Sequence, residues 1–269
     1  MADDRYLLDN RQSEARARLD ALGELFDATT QRHLETVGLA TGWRVWEVGA
    51  GTSRVPNWIA TQTGTRVLAT DIETVLFDAP DPLVAVKAHD VELDPPPSEQ
   101  FDLVHVRLVL VHLADRERAL RNMIEALAPG GWLVVEEADP GLQPLVCPDE
   151  RGPAQRLANE LKNSFRTLMA KRGVDLAFGR TLPRLLRDAG LFEVASDAYF
   201  PIGGRACNEL ERTTIEQIQG ALLDAGLATT DQIDRHLANV ASGELDLSTS
   251  PLVSAWGRKP HGATTDRSE

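Results

Sequence analysis

Between residues 44 and 135 short apolar runs alternate with helical segments, and this alternation constrains the fold more than any other feature. Arg44–Val48 is a short apolar run ending in Gly49-Ala50-Gly51, which predicts a buried strand entering a tight turn. Residues 66–71, 84–90, 101–110 and 132–135 predict four further strands. Helices are expected from Val55 to Ala60, with Pro56 in the first turn, and after Asp115 as N-cap. In the latter, Leu120, Met123, Ile124 and Leu127 share a face and Pro129-Gly130-Gly131 ends it. Strands alternating with helices imply right-handed crossovers and a mostly parallel sheet covered on both faces. Farther on, helices are expected at 153–173, 181–189 (stopped by Gly190) and twice within 208–241, the second capped at Thr229 or Thr230. Strands are expected at 191–200 and 251–256. The first 40 residues predict two helices, one carrying Leu19, Leu22, Leu25 and Phe26, the other capped by Thr29 or Thr30 and carrying Leu34 and Val37.

Composition narrows the function. A formal charge of −13 and a pI near 4.9, with no basic stripe, speak against nucleic-acid binding over a broad surface. No run approaches the roughly 18 apolar residues of a membrane span, and the N-terminus lacks the pattern of a secretory signal. The expected setting is the cytoplasm, with no membrane or nucleic-acid partner and a monomeric or homodimeric state. Cys147 and Cys207 show neither metal spacing nor a disulfide framework, so no metal is expected and each thiol is expected to be buried.

In an open parallel sheet, ligands lie beyond the carboxyl ends of the strands near the topological switch point. Those ends carry Glu47, Gly49, Gly51, Asp71, Asp90, His105, Arg107, His112, Glu136, Glu137 and Asp139. Gly49 and Gly51 permit positive φ and bare-backbone contact with a ligand. Asp71 follows Gly51 by 20 residues, the placement of an acid that accepts from ribose hydroxyls. A dinucleotide fingerprint requires a third glycine where this chain has Arg54. Glu47 would repel a pyrophosphate and welcome an ammonium, and Asp90 suits an adenine amine, so the acids favour a cationic nucleoside ligand.

Glu47-Val48-Gly49-Ala50-Gly51, Asp71, His89-Asp90-Val91, Phe101–His105 and Leu127–Leu133 together resemble the class I S-adenosylmethionine-dependent methyltransferases over residues 43–138. Pro251–Gly257 is similar to the family's final antiparallel strand, and the remainder resembles actinobacterial natural-product enzymes. The resemblance implies an α/β, Rossmann-like, seven-stranded mostly parallel sheet with helices on both faces, plus helical lid segments. The division it implies is a lid at 1–40, a core at 41–258 with helical insertions near 140–178 and 205–242, and a flexible tail at 259–269. It implies S-adenosylmethionine as cofactor. Gly49 and Gly51 then pass beneath its methionine and ribose, Glu47 supports the methionine end and Asp71 takes the ribose hydroxyls. Asp90 and the Val91 N–H meet adenine, and Arg107 with Leu108 lines the methionine side. Many family members have glycine where this chain has Ser53. The expected function is methyl transfer to oxygen, nitrogen or carbon of a small-molecule acceptor in secondary metabolism. His112, Glu137 and Asp139 are candidate general bases, with the two acids either substrate-facing or solvated; His105 is expected to pack beneath a helix. Tyr6 and Arg16 are candidate lid contacts. A cofactor-binding cyclase or rearrangement enzyme, or a scaffold, is the alternative; a nicotinamide-dependent oxidoreductase ranks behind both.

Overall fold

The computed structural model describes residues 15–261. Among these residues, seven strands form one sheet in the order β3-β2-β1-β4-β5-β7-β6. They are β1 Val45–Val48, β2 Val67–Asp71, β3 Val84–Ala88, β4 Phe101–Arg107, β5 Leu127–Ala138, β6 Phe192–Tyr199 and β7 Leu252–Arg258. The pairs β1–β2, β1–β4, β2–β3 and β4–β5 are parallel. Gly130 N–H donates to Lys259 O at 2.9 Å, and Asp139 N–H to Pro251 O at 2.8 Å. Numbers rise along β5 as they fall along β7, so β7 is antiparallel. The chain leaves β1 toward β2 and β3, then returns to the other side of β1 with β4. The switch point therefore lies between the ends of β1 and β4.

The chain divides into two compact units. One comprises Gln31–Glu137, Arg180–Asp197 and the residues from Val253 onward. Here Val45, Val67, Ala69, Leu103 and Val134 pack on one sheet face with Leu34, Val37 and, from α2 (Arg54–Thr63), Val55, Ile59 and Ala60. The alternate residues Trp46, Leu68, Val104, Val106, Leu133 and Val135 are buried as well, as strands covered on both faces require. The other unit comprises the residues up to Thr30, Ala138–Gly179 and Ala198–Leu252. It is built on α4 Pro153–Lys171, α6 Arg205–Asp224 and α7 Thr230–Ser242, joined by Leu161, Leu168, Ile215, Ile218, Leu222 and Ile233, while α5 (Leu182–Asp188) belongs to the first unit. Thr229 and Gln232 close a capping box at the start of α7.

Three local expectations change. The first 36 residues carry one helix within the described part, α1 (Ala15–Thr36), not two. No Gly or Pro interrupts 24–36, and the helix penalty of a threonine is only about half a kcal/mol. Thr29 and Thr30 are buried mid-helix. Next, α3 (Arg116–Ala126) starts at its Asp115 cap but stops before Leu127, which is extended and pairs with Phe101 in β5. Lys259 explains the early stop: its ammonium donates to the carbonyls of Ile124 (2.8 Å), Glu125 (3.2 Å) and Leu127 (2.6 Å). That lysine was expected in the flexible tail. His261 is also seated, against Gly130, where a Cβ would meet its ring at 2.3 Å. The tail beyond residue 261, and Tyr6, lie outside the described residues.

Candidate active site at the switch point

The apolar row on the first sheet face gives way toward the carboxyl edge to polar side chains. Side chains alternate along a strand, so Glu47, His105, Arg107, Glu136 and Ser254 share the face of Val45, Leu103 and Val134. His105, fully buried, sits between two carboxylates: its Nδ1 lies 2.7 Å from Glu47 Oε2 and its Nε2 lies 3.4 Å from Glu136 Oε2. Glu136 is the hub. Its Oε1 accepts from Ser254 Oγ at 2.9 Å and lies 2.8 Å from His33 Nδ1. His33 Nε2 lies 2.9 Å from Asp197 Oδ1, and Asp197 also meets Arg32 at 3.1 Å. Burial alone would lower the His105 pKa, but the Glu47 charge and the hydrogen bonds to Glu136 and Glu47 carry it up to about 9. Burial would raise Glu136; hydrogen bonds from His105 and His33, and the charges of His105 and Arg107, hold it far below the carboxylate range instead. His105, expected to pack beneath a helix, is buried in β4 with a carboxylate at each ring nitrogen.

At the end of β2, Asp71 turns its carboxylate back on the glycine turn. Its Oδ2 accepts from Gly51 N–H at 2.9 Å and its Oδ1 from Glu73 N–H at 3.0 Å. Burial raises its pKa, against the backbone hydrogen bonds from Glu73 and Gly51. Gly49 has φ +61, and a Cβ there would lie 2.2 Å from Val109 Cγ2. Both the conformation and the close approach require glycine. Gly49→Ala is therefore expected to cost about 1–3 kcal/mol, measured as a lower denaturation midpoint. An unchanged midpoint would show that the turn tolerates a Cβ. Ser53 is buried with no partner for Oγ, at the N-cap of α2.

The remaining candidates spread along the same edge. Asp90 follows β3, and its Oδ1 accepts from Glu92 N–H (2.8 Å) and Leu93 N–H (3.1 Å). Val91 is buried, and its carbonyl accepts from Asn122 Nδ2 at 2.9 Å. Arg107 ends β4, half-buried, and His112 ends a 3₁₀ turn, Leu110–His112, also half-buried. Glu137 and Asp139 are buried, which removes the solvated alternative for both. Glu137 Oε1 accepts from Val109 N–H (3.0 Å) and Leu110 N–H (2.6 Å). Asp139 belongs to the helical unit, where its Oδ1 accepts from Gly141 N–H (3.1 Å) and Leu142 N–H (3.0 Å). Arg16 is half-buried in α1. Both cysteines are buried, and burial pushes Cys147 up to about 12 and Cys207 up to about 11, which disfavours the thiolate of each.

One apolar residue at the edge was missed from the sequence. Ile72, directly after Asp71, is 66% exposed. Its signal was an isoleucine immediately following the acid that ends a buried strand. Among the described residues, no group of three or more His, Cys, Asp or Glu has the arrangement of a metal site, and no helix is long and apolar enough to cross a membrane.

The sequence and the fold have counterparts in known proteins. Residues 8–195 match a family model described as a methyltransferase domain. The methyltransferase str2 of Strobilurus tenacellus is 34% identical over 126 residues, 46% of this chain and 46% of that protein. The methyltransferase GfsG of Streptomyces halstedii is 24% identical over 182 residues, 64% of this chain and 61% of that protein. Among solved structures, phosphoethanolamine N-methyltransferase 2 of Haemonchus contortus, in complex with phosphomonomethylethanolamine and S-adenosylhomocysteine, superposes with a TM-score of 0.60 at 18% identity. The match covers 95% of this chain and 60% of that one. The chain thus spans about half to three fifths of the length of these curated relatives. With the family model matched over more than half of its residues, and the strand order and glycine turn in place, the chain belongs to the methyltransferase domain family.

Proposed function

We propose that this protein transfers the methyl group of S-adenosylmethionine to a small-molecule acceptor of secondary metabolism. The observation that carries the reading is the pairing of Asp71 with the glycine turn. The carboxylate is fixed by the Gly51 and Glu73 N–H groups and keeps lone pairs for the two hydroxyls of a ribose. The surroundings fit the rest of such a cofactor. Ile72 offers an exposed apolar face beside Asp71 for a base. Asp90 and Val91 stand at the next strand end for its amine and ring edge. Gly49 and Gly51 take the positive φ of the turn beneath a methionine chain, with Glu47 and Arg107 on that side. When bound, the cofactor supplies an electrophilic methyl group on a cationic sulfur.

The residues of the chain then have two tasks. One is to align donor and acceptor and exclude water. The other is to remove a proton where the acceptor is an alcohol, phenol or ammonium, which adds roughly 10²–10⁴-fold. His112 is assigned the second task, because its imidazole stands just beyond the β4 end. Asp139, with Oδ1 committed to two backbone N–H groups, fits the orientation of the Gly141–Leu142 turn better than proton removal.

Incubation with methyl-labelled cofactor and a metabolite extract tests the reading. Label is expected in a small molecule. Label in protein or nucleic acid would overturn the acceptor class, and cofactor binding with no label anywhere would favour a cyclase or scaffold. Saturable micromolar binding of NADH would favour the oxidoreductase.

A further inference from the structure

The loop after β4 is held from three sides. Leu108, a non-glycine residue, sits at φ +58, in the left-handed region that L side chains disfavour. Its N–H donates to the Glu136 carbonyl at 2.8 Å. The next two N–H groups, of Val109 and Leu110, converge on one oxygen of the Glu137 side chain at 3.0 and 2.6 Å. Val109 in turn packs on the bare Cα of Gly49, so closely that a Cβ would overlap its Cγ2. The ends of β1, β4 and β5 thus interlock at the switch point, and Glu137 is the side chain that joins two of them. It is fully buried, and its Oε2 has no hydrogen-bond partner.

We infer that Glu137 is a positioning residue: its side chain pins Val109 and Leu110 against the Gly49 turn and so fixes the floor on which the cofactor's methionine chain rests. The assignment of that floor to the cofactor rests on the methyltransferase reading above. A general base needs an ionised carboxylate open to the acceptor. Glu137 instead commits Oε1 to two backbone donors in a site closed to water. Its burial pushes the carboxyl up to about 8, against the backbone N–H groups of Leu110, Val109 and Val111. Glutamine keeps an oxygen that can accept from the same two backbone N–H groups and has nearly the same shape.

Two measurements on the full chain test this: amide hydrogen exchange at Val109 and Leu110, and calorimetry with S-adenosylhomocysteine. Glu137→Ala is expected to speed exchange at both amides and to weaken the ligand, each by about tenfold, as the loss of buried hydrogen bonds implies. Glu137→Gln is expected to stay within about threefold of the wild type in both, the conversion of so small a loss as a retained acceptor allows. If Glu137→Ala does not fold, Glu137→Met, which keeps the volume and removes both oxygens, carries the same expectation. Unchanged exchange and affinity in the alanine or methionine variant would overturn the assignment. So would a folded glutamine variant as impaired as alanine, because acid chemistry rather than position would then be at stake. A wild type that binds no S-adenosylhomocysteine would defeat the methyltransferase reading instead, and exchange at Val109 and Leu110 would still decide whether Glu137 holds the loop.

Discussion

Asp71→Ala is expected to weaken S-adenosylhomocysteine binding by at least about tenfold, the loss of a charged acceptor for ligand hydroxyls. The substitution also releases Gly51 N–H and Glu73 N–H, so it loosens the turn that carries the ligand. Asp71→Asn separates the two contributions poorly, and for a definite reason. Both carboxylate oxygens accept from backbone N–H groups, so an amide must aim its own NH₂ at one donor. Asparagine is therefore expected to fall close to alanine rather than close to the wild type. Burial raises the Asp71 pKa, so wild-type affinity should decline on acidification at a pH above the usual aspartate range. Titration calorimetry across pH measures all three effects. Tight binding unchanged in Asp71→Ala would show that the ribose acid lies elsewhere.

His105→Ala should lower stability by about 3–5 kcal/mol, the cost of leaving buried carboxylates without their cation. That is a large part of the roughly 5–15 kcal/mol that holds a domain folded. The effect is specific in pH. The folded-state pKa of His105, about 9, lies above its ordinary 6.5. Its contribution is therefore complete below pH 6.5 and lost as pH rises through about 9. Glu136 has the opposite sign: depressed from its ordinary 4.5, it stabilises above that value and its contribution is lost on acidification. Wild-type stability should fall on both sides of neutrality. A folded His105→Gln variant should show a shallower alkaline slope, since it has no ring to titrate, while Glu137, raised to about 8, still contributes one. Denaturant titrations at pH 7 and pH 9.5 decide the matter; equal alkaline slopes in the two proteins would remove His105 as the titrating group.

Most of the sheet was legible because each doubly buried strand is a short apolar run bounded by turn residues. The strand-end acids followed from the same pattern, since Asp71 and Asp90 stand where such runs stop. What escaped depends on neighbours distant in the chain. Glu47 and His105 are 58 residues apart, and only the register that sets Glu47 beside His105 reveals their contact. The end of α3 was misplaced because its cap comes from Lys259, more than 130 residues away. Glu137 and Asp139 resembled open strand-end acids, but the groups they bind are backbone N–H donors, which sequence composition does not display. Asp115 and Thr229, by contrast, cap through residues three positions on, and such short-range chemistry was readable.

The row from Glu47 through His105 and Glu136 to Ser254 also bears on how the sheet assembles. Apolar strands alone discriminate poorly between neighbouring alignments, because one valine replaces another at little cost. A shift of β1 against β4 by one residue would turn Glu47 to the opposite face. A shift by two would keep the face but set Glu47 beside Leu103 or Arg107 rather than His105. A shift by one, or by two onto Leu103, strands a buried ion, and such a misalignment is penalised where it would otherwise pass unnoticed. The polar row thus acts as a proofreading device for strand alignment, a role it exercises before any ligand arrives.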